Sequence, residues 1–455
     1  MDRREFLAYM GAAGFLITTG CEGDEPDFGP VVRPEKKPLA KVSVNQRMQH
    51  ACVGVSSMGG VDRSAIADEG KGVLEIVALC DVDREKLRWA GSEHPDARLY
   101  TDWRVMLEKE GDKIDSVNVS TPDHMHAAIA MSAIKKGKHV YCQKPLTHSV
   151  HEARQLRLAA NKYGVITQMG IQIHSHMAYR MAVKMLKDGA IGKVKEFHSW
   201  QSSTNSYQQG APSEFNRVPK DLDWDSWIGV REFCNFKNQI YHPHNWRNWQ
   251  EFGCGVLGDF ACHIFDPIFY SLGISKVLNV QAVADKNNGY NWPGNTIVGY
   301  EFVGTEMTVG DTIKGYWYDG KHKPPKPLYP TEDNFKLAQA GSLIIGEKGT
   351  MHLPHFAGPM LYPFKEFKSY ERPKLGAADH YRRWIQACMK GEKASAGFDY
   401  SGPLTEAVQL GNIATLVPDR QLIWNDEKLK FDNNEQANKL IKRKYRSGWE
   451  IEELM

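Results

Sequence analysis

The chain has 455 residues, 42% hydrophobic and 25% charged, an ordinary globular composition with length enough for two domains. Lys and Arg number 57 against 55 Asp and Glu, so the net charge of +2 gives no reason to expect a nucleic-acid partner. No apolar run approaches the roughly 18 residues of a spanning helix, so no transmembrane span is expected. The eight cysteines form no CxxC and no zinc-ribbon spacing. Cys52, Cys80 and Cys142 lie in apolar runs, where cysteine acts as a small hydrophobe. The 12 Trp and 18 Tyr serve either core packing or a site that stacks on sugar rings.

Residues 1–21 have the form of an export signal. Arg3-Arg4 precede Phe6-Leu7 and a short apolar run broken by Gly and Ala, a pattern that resembles a twin-arginine signal. Such signals carry folded proteins, so a periplasmic location is expected. Cys21, after Thr19-Gly20, is a candidate lipid attachment site, although Thr18 stands where that pattern usually has an aliphatic residue. Residues 22–45 are rich in Pro and charge and read as a tether.

From residue 46 to 170 strands alternate with helices. An apolar strand from His50 enters a glycine turn containing Gly54, Ser56, Met58 and Gly59, and a helix follows through Glu69. A dinucleotide fingerprint needs glycines for the tight turn, for the pyrophosphate and for helix packing. Gly54 and Gly59 match the first and third, while Ser56 replaces the second. Leu74–Cys80 is a buried-type strand with Asp81 at its end, 22 residues beyond Gly59. A carboxylate there accepts hydrogen bonds from a ribose and repels a 2′-phosphate, favouring NAD over NADP. Helices are predicted at Asp83–Ala90, Trp103–Glu110 and Pro122–Lys136, and strands at Arg98–Asp102, Ser116–Thr121 and His139–Cys142. A helix at His151–Tyr163 and a strand at Val165–Met169 complete the alternation. The pattern predicts a doubly wound parallel sheet. Thr121-Pro122 closes a strand on the same edge as Gly54 and Asp81. Lys144 follows another such strand, ahead of Pro145, at the carboxyl end where open α/β sheets bind ligands.

The glycine turn, Asp81, Ser-Thr-Pro-Asp-His at 120–124 and Gln143-Lys144-Pro145 together resemble the Gfo/Idh/MocA family, the relatives of glucose–fructose oxidoreductase and inositol dehydrogenase. The resemblance extends over roughly residues 48–450. It implies a Rossmann NAD-binding domain followed by a C-terminal α+β domain, residues 171–455, with a large, mostly antiparallel sheet. The family's tripeptide is usually Glu-Lys-Pro, and Gln143 here removes one charge beside the lysine. The resemblance also implies nucleotide contacts from Gly54, Ser56, Met58, Gly59, Asp81, Thr121, Pro122, His126 and Lys144. It further implies a carbohydrate or cyclitol substrate and a homo-oligomer.

Beyond residue 170 a loop carries His174 and His176, candidate substrate contacts or ordinary core histidines. A helix at Ala178–Asp188 and a strand at Val194–Trp200 follow. The stretch 201–250 is loop-rich and holds Trp224, Trp227, Tyr241, Trp246 and Trp249, either a lid or sugar-stacking wall or plain packing; Trp246-Arg247 is its preferred substrate-facing pair. If Gly258-Asp259 opens a helix, Asp259, His263 and Asp266 share one face at i, i+4 and i+7. An imidazole between carboxylates suits acid–base work, because carboxylates fix its tautomer. The family's Asp-x-x-x-His maps onto Asp259 and His263, which with Lys144 form the implied catalytic triad; no metal is expected. Strands are predicted at 277–283, 295–302, 306–309 and 341–346, and helices at 377–389, 404–415 and 439–449.

The sum is an exported NAD-dependent oxidoreductase of sugars, glycosides or cyclitols with a tightly held nucleotide. Two alternatives stand beside it. One is redox-neutral glycoside cleavage through a 3-keto intermediate. The other is a non-catalytic sugar-binding protein on the same scaffold, favoured by Ser56 and Gln143.

Overall fold

A computed structural model describes residues 47–202, 210–212, 214–332 and 335–455. The signal at 1–21, Cys21 and the tether at 22–45 lie outside the described residues.

Six strands form the first sheet: β1 (Met48–Val53), β2 (Leu74–Cys80), β3 (Arg98–Tyr100), β4 (Ser116–Val119), β5 (His139–Gln143) and β6 (Thr167–Gly170). Their order is β3-β2-β1-β4-β5-β6, with every pairing parallel. This is the doubly wound dinucleotide order, and its switch point lies between β1 and β4. Strands β4 and β5 are buried along their whole length, as parallel strands covered on both faces must be. The crossovers are α1 (Met58–Glu69), α2 (Arg84–Glu93), α3 (Trp103–Glu110), α4 (Asp123–Lys135) and α5 (Val150–Tyr163). Helix α5 starts at a capping box, in which the Ser149 side chain accepts from Glu152 N and Glu152 accepts from Ser149 N.

After α6 (Met177–Lys187) the chain builds a nine-stranded sheet from β7 (Val194–Gln201), β8 (Val277–Val283), β9 (Ile297–Val303), β10 (Thr312–Asp319), β11 (Ala340–Gly346), β12 (Thr350–Pro354), β13 (Met360–Tyr362), β14 (Leu422–Asn425) and β15 (Lys430–Phe431). Its order is β13-β12-β11-β7-β10-β9-β8-β14-β15, and its pairings are antiparallel except β7 with β10. The short helix α7 (Trp224–Ile228) lies in the loop region, and α8 (Gly255–Leu272) packs on the sheet. Phe265 of α8 meets Phe197, Tyr300 and Trp317 edge-on. Two late helices return to the first sheet's layer. Helix α9 (His380–Lys390) packs on α1, and α10 (Phe398–Leu416) packs on α5 and α8. Arg154 of α5 clamps the second contact, donating to Glu406 at 2.8 and 2.6 Å.

Three expected elements differ. Residues 306–309 form a turn, and the strand lies at β10, where Tyr316, Trp317 and Tyr318 are buried. The closing stretch 439–449 is not helical; only α11 (Glu435–Asn438) precedes it. A helix there would set Lys439 against Arg443, and Lys442 against Arg446, at repulsive i, i+4 spacing. Helix α8 opens at Gly255 rather than Gly258, so Asp259 already lies inside it.

One packing contact is tight enough to test. A Cβ on Gly411 of α10 would lie 1.8 Å from the Tyr300 hydroxyl oxygen of β9, and that hydroxyl is buried without a partner among the described residues. Gly411→Ala should destabilise the protein by about 2–4 kcal/mol. Tyr300→Phe should be neutral or stabilising by about 1 kcal/mol, because it removes an unsatisfied polar atom, and it should soften the Gly411→Ala penalty. Urea denaturation of the two single variants and the double variant measures this coupling; strict additivity would refute it.

Candidate active site

At the end of β1 the chain turns through Gly54 at φ +81°. A Cβ on Gly54 would lie 2.4 Å from the Ser120 carbonyl oxygen, and one on Gly59 would lie 2.2 Å from the Gly54 carbonyl oxygen. Only glycine lets β1, β4 and the start of α1 close on one another. Ser56 is half-buried in this turn, and Met58 opens α1. Asp81 ties its carboxylate to the same turn, accepting from Val55 N at 3.0 Å and from Asp83 N at 3.0 Å. Burial pushes this carboxyl above its ordinary value. At the end of β4 the Thr121 hydroxyl is buried without a hydrogen-bond partner among the described residues. A glycine cradle, a strand-end carboxylate and an orphaned hydroxyl on one sheet edge fit a dinucleotide. Gly54, Ser56, Met58 and Gly59 would face its pyrophosphate, Asp81 its ribose, and Thr121-Pro122 its nicotinamide. His126 is placed behind this edge. It is 1% exposed, with ring nitrogens 2.9 Å from the Pro145 carbonyl oxygen and 2.8 Å from that of Thr121. It therefore ties the ends of β4 and β5 together, where a nucleotide contact was expected.

The catalytic candidates meet one strand away. Lys144, just past β5, donates through Nζ to Asp259 Oδ1 and, at 3.2 Å, to the Asp259 carbonyl oxygen. Arg247 Nε donates to the same Oδ1 at 3.2 Å, with its guanidinium 4.3 Å from the centre of the Trp246 ring. Burial opposes the Asp259 charge, but Lys144 and Arg247 outweigh it and hold the carboxyl well below the usual range. One turn along α8, burial and then the Lys144 cation push His263 well below the usual histidine range. His263 is thus a neutral imidazole at pH 7 beside Lys144, whose Nζ donates to the Asp259 carboxylate. That arrangement can take a proton from a hydroxyl while a cation holds the oxygen.

The shared face of α8 divides its carboxylates differently from the expectation. Asp259 is engaged by Lys144 and Arg247, and His263 Nδ1 is buried without a partner among the described residues. Asp266 accepts from Tyr400 Oη at 2.8 Å and lies 2.8 Å from His174 Nδ1. No hydrogen bond from either carboxylate to His263 is present among the described residues, so the imidazole is not held between them. His174 is buried against Tyr270 and Asp266, and is not brought to Lys144. Trp246 is also buried, in a cluster with Trp224, Trp227, Tyr241, Trp249 and Phe252. These aromatics pack on one another, which favours the packing alternative over a sugar-stacking wall.

The structure adds residues that the sequence pattern does not mark. The His355 ring lies 5.9 Å from that of His263, and its Nδ1 is 2.7 Å from the Tyr179 hydroxyl. Burial and then Lys144 pull His355 down to about 4. Beneath Lys144, the fully buried Asp62 of α1 gathers donors from several elements. Ser120 Oγ donates at 2.6 Å, Tyr381 Oη at 2.8 Å, and Gln143 Nε2 at 2.9 and 2.8 Å to its two oxygens. Gln143 Oε1 in turn accepts from Lys144 N at 3.3 Å. An amide fits here because a Glu at 143 would face a second carboxylate.

Comparison with known proteins agrees with this geometry. Residues 48–171 match the family model described as "Oxidoreductase family, NAD-binding Rossmann fold", and residues 190–294 match "Oxidoreductase family, C-terminal alpha/beta domain". Among curated relatives, levoglucosan dehydrogenase of Pseudarthrobacter phenanthrenivorans is 27% identical over 180 residues, 39% of this chain and 38% of that protein. The 2,7-anhydro-N-acetylneuraminate hydratase of Mediterraneibacter gnavus is 27% identical over 263 residues, 55% of this chain and 64% of that protein. The chain thus spans less than two thirds of the length of these curated relatives. Among solved structures, the WlbA dehydrogenase of Bordetella pertussis in complex with NADH and UDP-GlcNAcA superimposes with a TM-score of 0.59 at 15% identity, covering 84% of this chain and 99% of that one. At that identity the likeness is one of fold.

The Asp62–Gln143 contact makes a direct prediction. Gln143→Glu should destabilise the protein by about 2–3 kcal/mol, since two buried carboxylates cannot both ionise at this distance. Adding Asp62→Asn should recover most of that loss. A chemical-denaturation cycle over the four proteins reads the coupling, and independent effects would show that the two side chains do not depend on each other.

Proposed function

The chain belongs to the Gfo/Idh/MocA oxidoreductase family, and from that premise we propose that it is an exported NAD-dependent oxidoreductase acting on a hydroxyl of a sugar, glycoside or cyclitol. The observation that carries this reading is the meeting of Lys144, Asp259 and neutral His263 at the strand edge that also holds Gly54 and Asp81. His263 takes the hydroxyl proton. Lys144 holds the oxygen and favours its ionised form. Asp259, fixed by Arg247, holds the lysine in place. The nicotinamide, when bound, accepts and returns hydride. Asp81 favours NAD, because its carboxylate would repel a 2′-phosphate. The Arg3-Arg4 signal supports export, and free NAD is not readily replenished outside the cytoplasm. A tightly held nucleotide recycled within the enzyme follows from that placement.

His355 favours a second reading, glycoside cleavage without net oxidation. That chemistry needs a base for a proton on the carbon next to a ketone, as well as one for the hydroxyl. His263 and His355 supply two neutral imidazoles beside the same cation. A relative that is a hydratase of an anhydro-sugar is in keeping with such a reaction.

Denaturing the purified, dialysed protein should release about one NAD or NADH per chain, identified by mass spectrometry. No nucleotide, with no NAD binding on titration, would turn the reading toward a sugar-binding protein on this scaffold. Lys144→Ala should keep the nucleotide and lower kcat/KM on an accepted sugar by about 10²-fold or more. For the second reading, sugar recovered after turnover in heavy water should carry deuterium at C2; its absence would leave net oxidoreduction as the chemistry.

A further inference from the structure

The loop that carries Arg247 continues through Gln250 and Glu251, which line a separate cavity of about 260 Å³. Its other walls are the start of α5 at His148 and Ser149, the α10 residues Gln409 and Asn412, and the closing segment from Lys439 to Lys444. The volume lies just below the roughly 300–1,000 Å³ of drug-sized ligand sites, so it suits a small ligand.

The charge of this wall is one-sided. Arg231, Arg443, Lys439, Lys442 and Lys444 face a single lining carboxylate, Glu251. Glu251 is already engaged, accepting from Arg231 Nε at 2.8 Å. Glu152, which lies behind the wall, accepts from His148 N at 3.1 Å, Ser149 N at 2.9 Å and Tyr445 Oη at 2.7 Å. Arg443 donates through Nη1 to the Gln250 carbonyl oxygen at 2.7 Å, and no carboxylate pairs with it among the described residues. The same holds for Lys439, Lys442 and Lys444. Burial and then Arg231 pull Arg443 down to about 10, and burial and then both arginines push His148 well below the usual histidine range. Burial is the larger cause of each shift, and the neighbouring arginine charge adds to it. Glu251 pairs with Arg231 directly, whereas Arg443 meets only a carbonyl oxygen in a half-enclosed space flanked by three lysines, so the wall can take a further anion. A guanidinium fork matches an oxyanion with paired hydrogen bonds.

We propose that this cavity binds a small tetrahedral oxyanion, phosphate or sulfate, either free or carried as an ester on a sugar. The inference does not depend on the redox reading, because the cavity shares no side chain with the catalytic cluster.

The test titrates the full purified protein with inorganic phosphate, and separately with glucose 6-phosphate, by calorimetry at fixed ionic strength. Thermal unfolding runs in parallel at up to about 10 mM of each ligand. The expected result is saturable binding with a dissociation constant below about 1 mM and a Tm rise of about 2–5 °C. Saturation by phosphate identifies a free-oxyanion site, and saturation by glucose 6-phosphate alone identifies an esterified ligand. The variant Lys442→Ala/Lys444→Ala changes only exposed side chains and should fold normally while weakening binding by about 3–10-fold. Arg443→Met should abolish binding. No saturable binding of either probe, or binding undiminished in the double-lysine variant, would overturn the proposal.

Discussion

The ion pair between Lys144 and Asp259 joins two parts of the molecule that form by different rules. Lys144 is placed by a parallel strand buried on both faces. Asp259 is placed by α8, whose aromatic residues lock onto the nine-stranded sheet. Taking both charges out of water is costly, and their attraction offsets that only when further partners complete the pair. Arg247 is such a partner, and with it two cations share one carboxylate. The cluster therefore keeps a surplus positive charge where a substrate oxygen would ionise. Neutralising Asp259 would loosen the lysine, and neutralising Lys144 would leave a buried carboxylate against a single arginine. The arrangement works as a unit rather than as separate residues.

A second buried carboxylate stiffens the floor of the same site. Asp62 collects hydrogen bonds from just past β4 through Ser120, from the end of β5 through Gln143, and from α9 through Tyr381. The last contact spans most of the chain, so the C-terminal helices complete the nucleotide-binding half instead of merely following it. The Gln143 amide serves both neighbours, since its oxygen takes the Lys144 N–H and its nitrogen serves Asp62. The departure from Glu-Lys-Pro thus has a local electrostatic cause. It gives no support to the idea of a scaffold that has lost its chemistry.

The parallel sheet was legible because its strands are short, wholly apolar runs with turn residues between them, and because Gly54, Asp81 and Lys144 mark their carboxyl ends. Much of the second sheet was legible from runs such as Val277–Val283. Strand β10 was not, because Gly315 interrupts its pattern while Glu306–Val309 imitates alternation. Within the site, helical spacing placed Asp259, His263 and Asp266 on one side of α8. Spacing does not say which neighbour each carboxylate meets, and packing sent one to Lys144 and the other to His174. His355 carried no local signal. It reaches His263 only because its backbone N–H bonds the Ala340 carbonyl oxygen at 2.9 Å, just past the β11–β12 ladder. Asp62 was equally silent, as an acidic residue in a helix that reads as surface until the last helices cover it.

The electrostatics of the site set a direction for proton movement. Burial lowers the proton affinity of both His263 and His355, and Lys144 lowers it further. The same cation favours negative charge on an oxygen beside it. A proton taken from a hydroxyl would therefore be held weakly by His263, while the oxygen it left would be held well. Such a base returns its proton readily, which suits a reversible step more than one that ends with a stored proton. With His355 close by and backed by the Tyr179 hydroxyl, a second acceptor lies within the same field. A site that gives protons back as easily as it takes them is suited to oxidising and re-reducing one substrate, or to exchanging hydride between two.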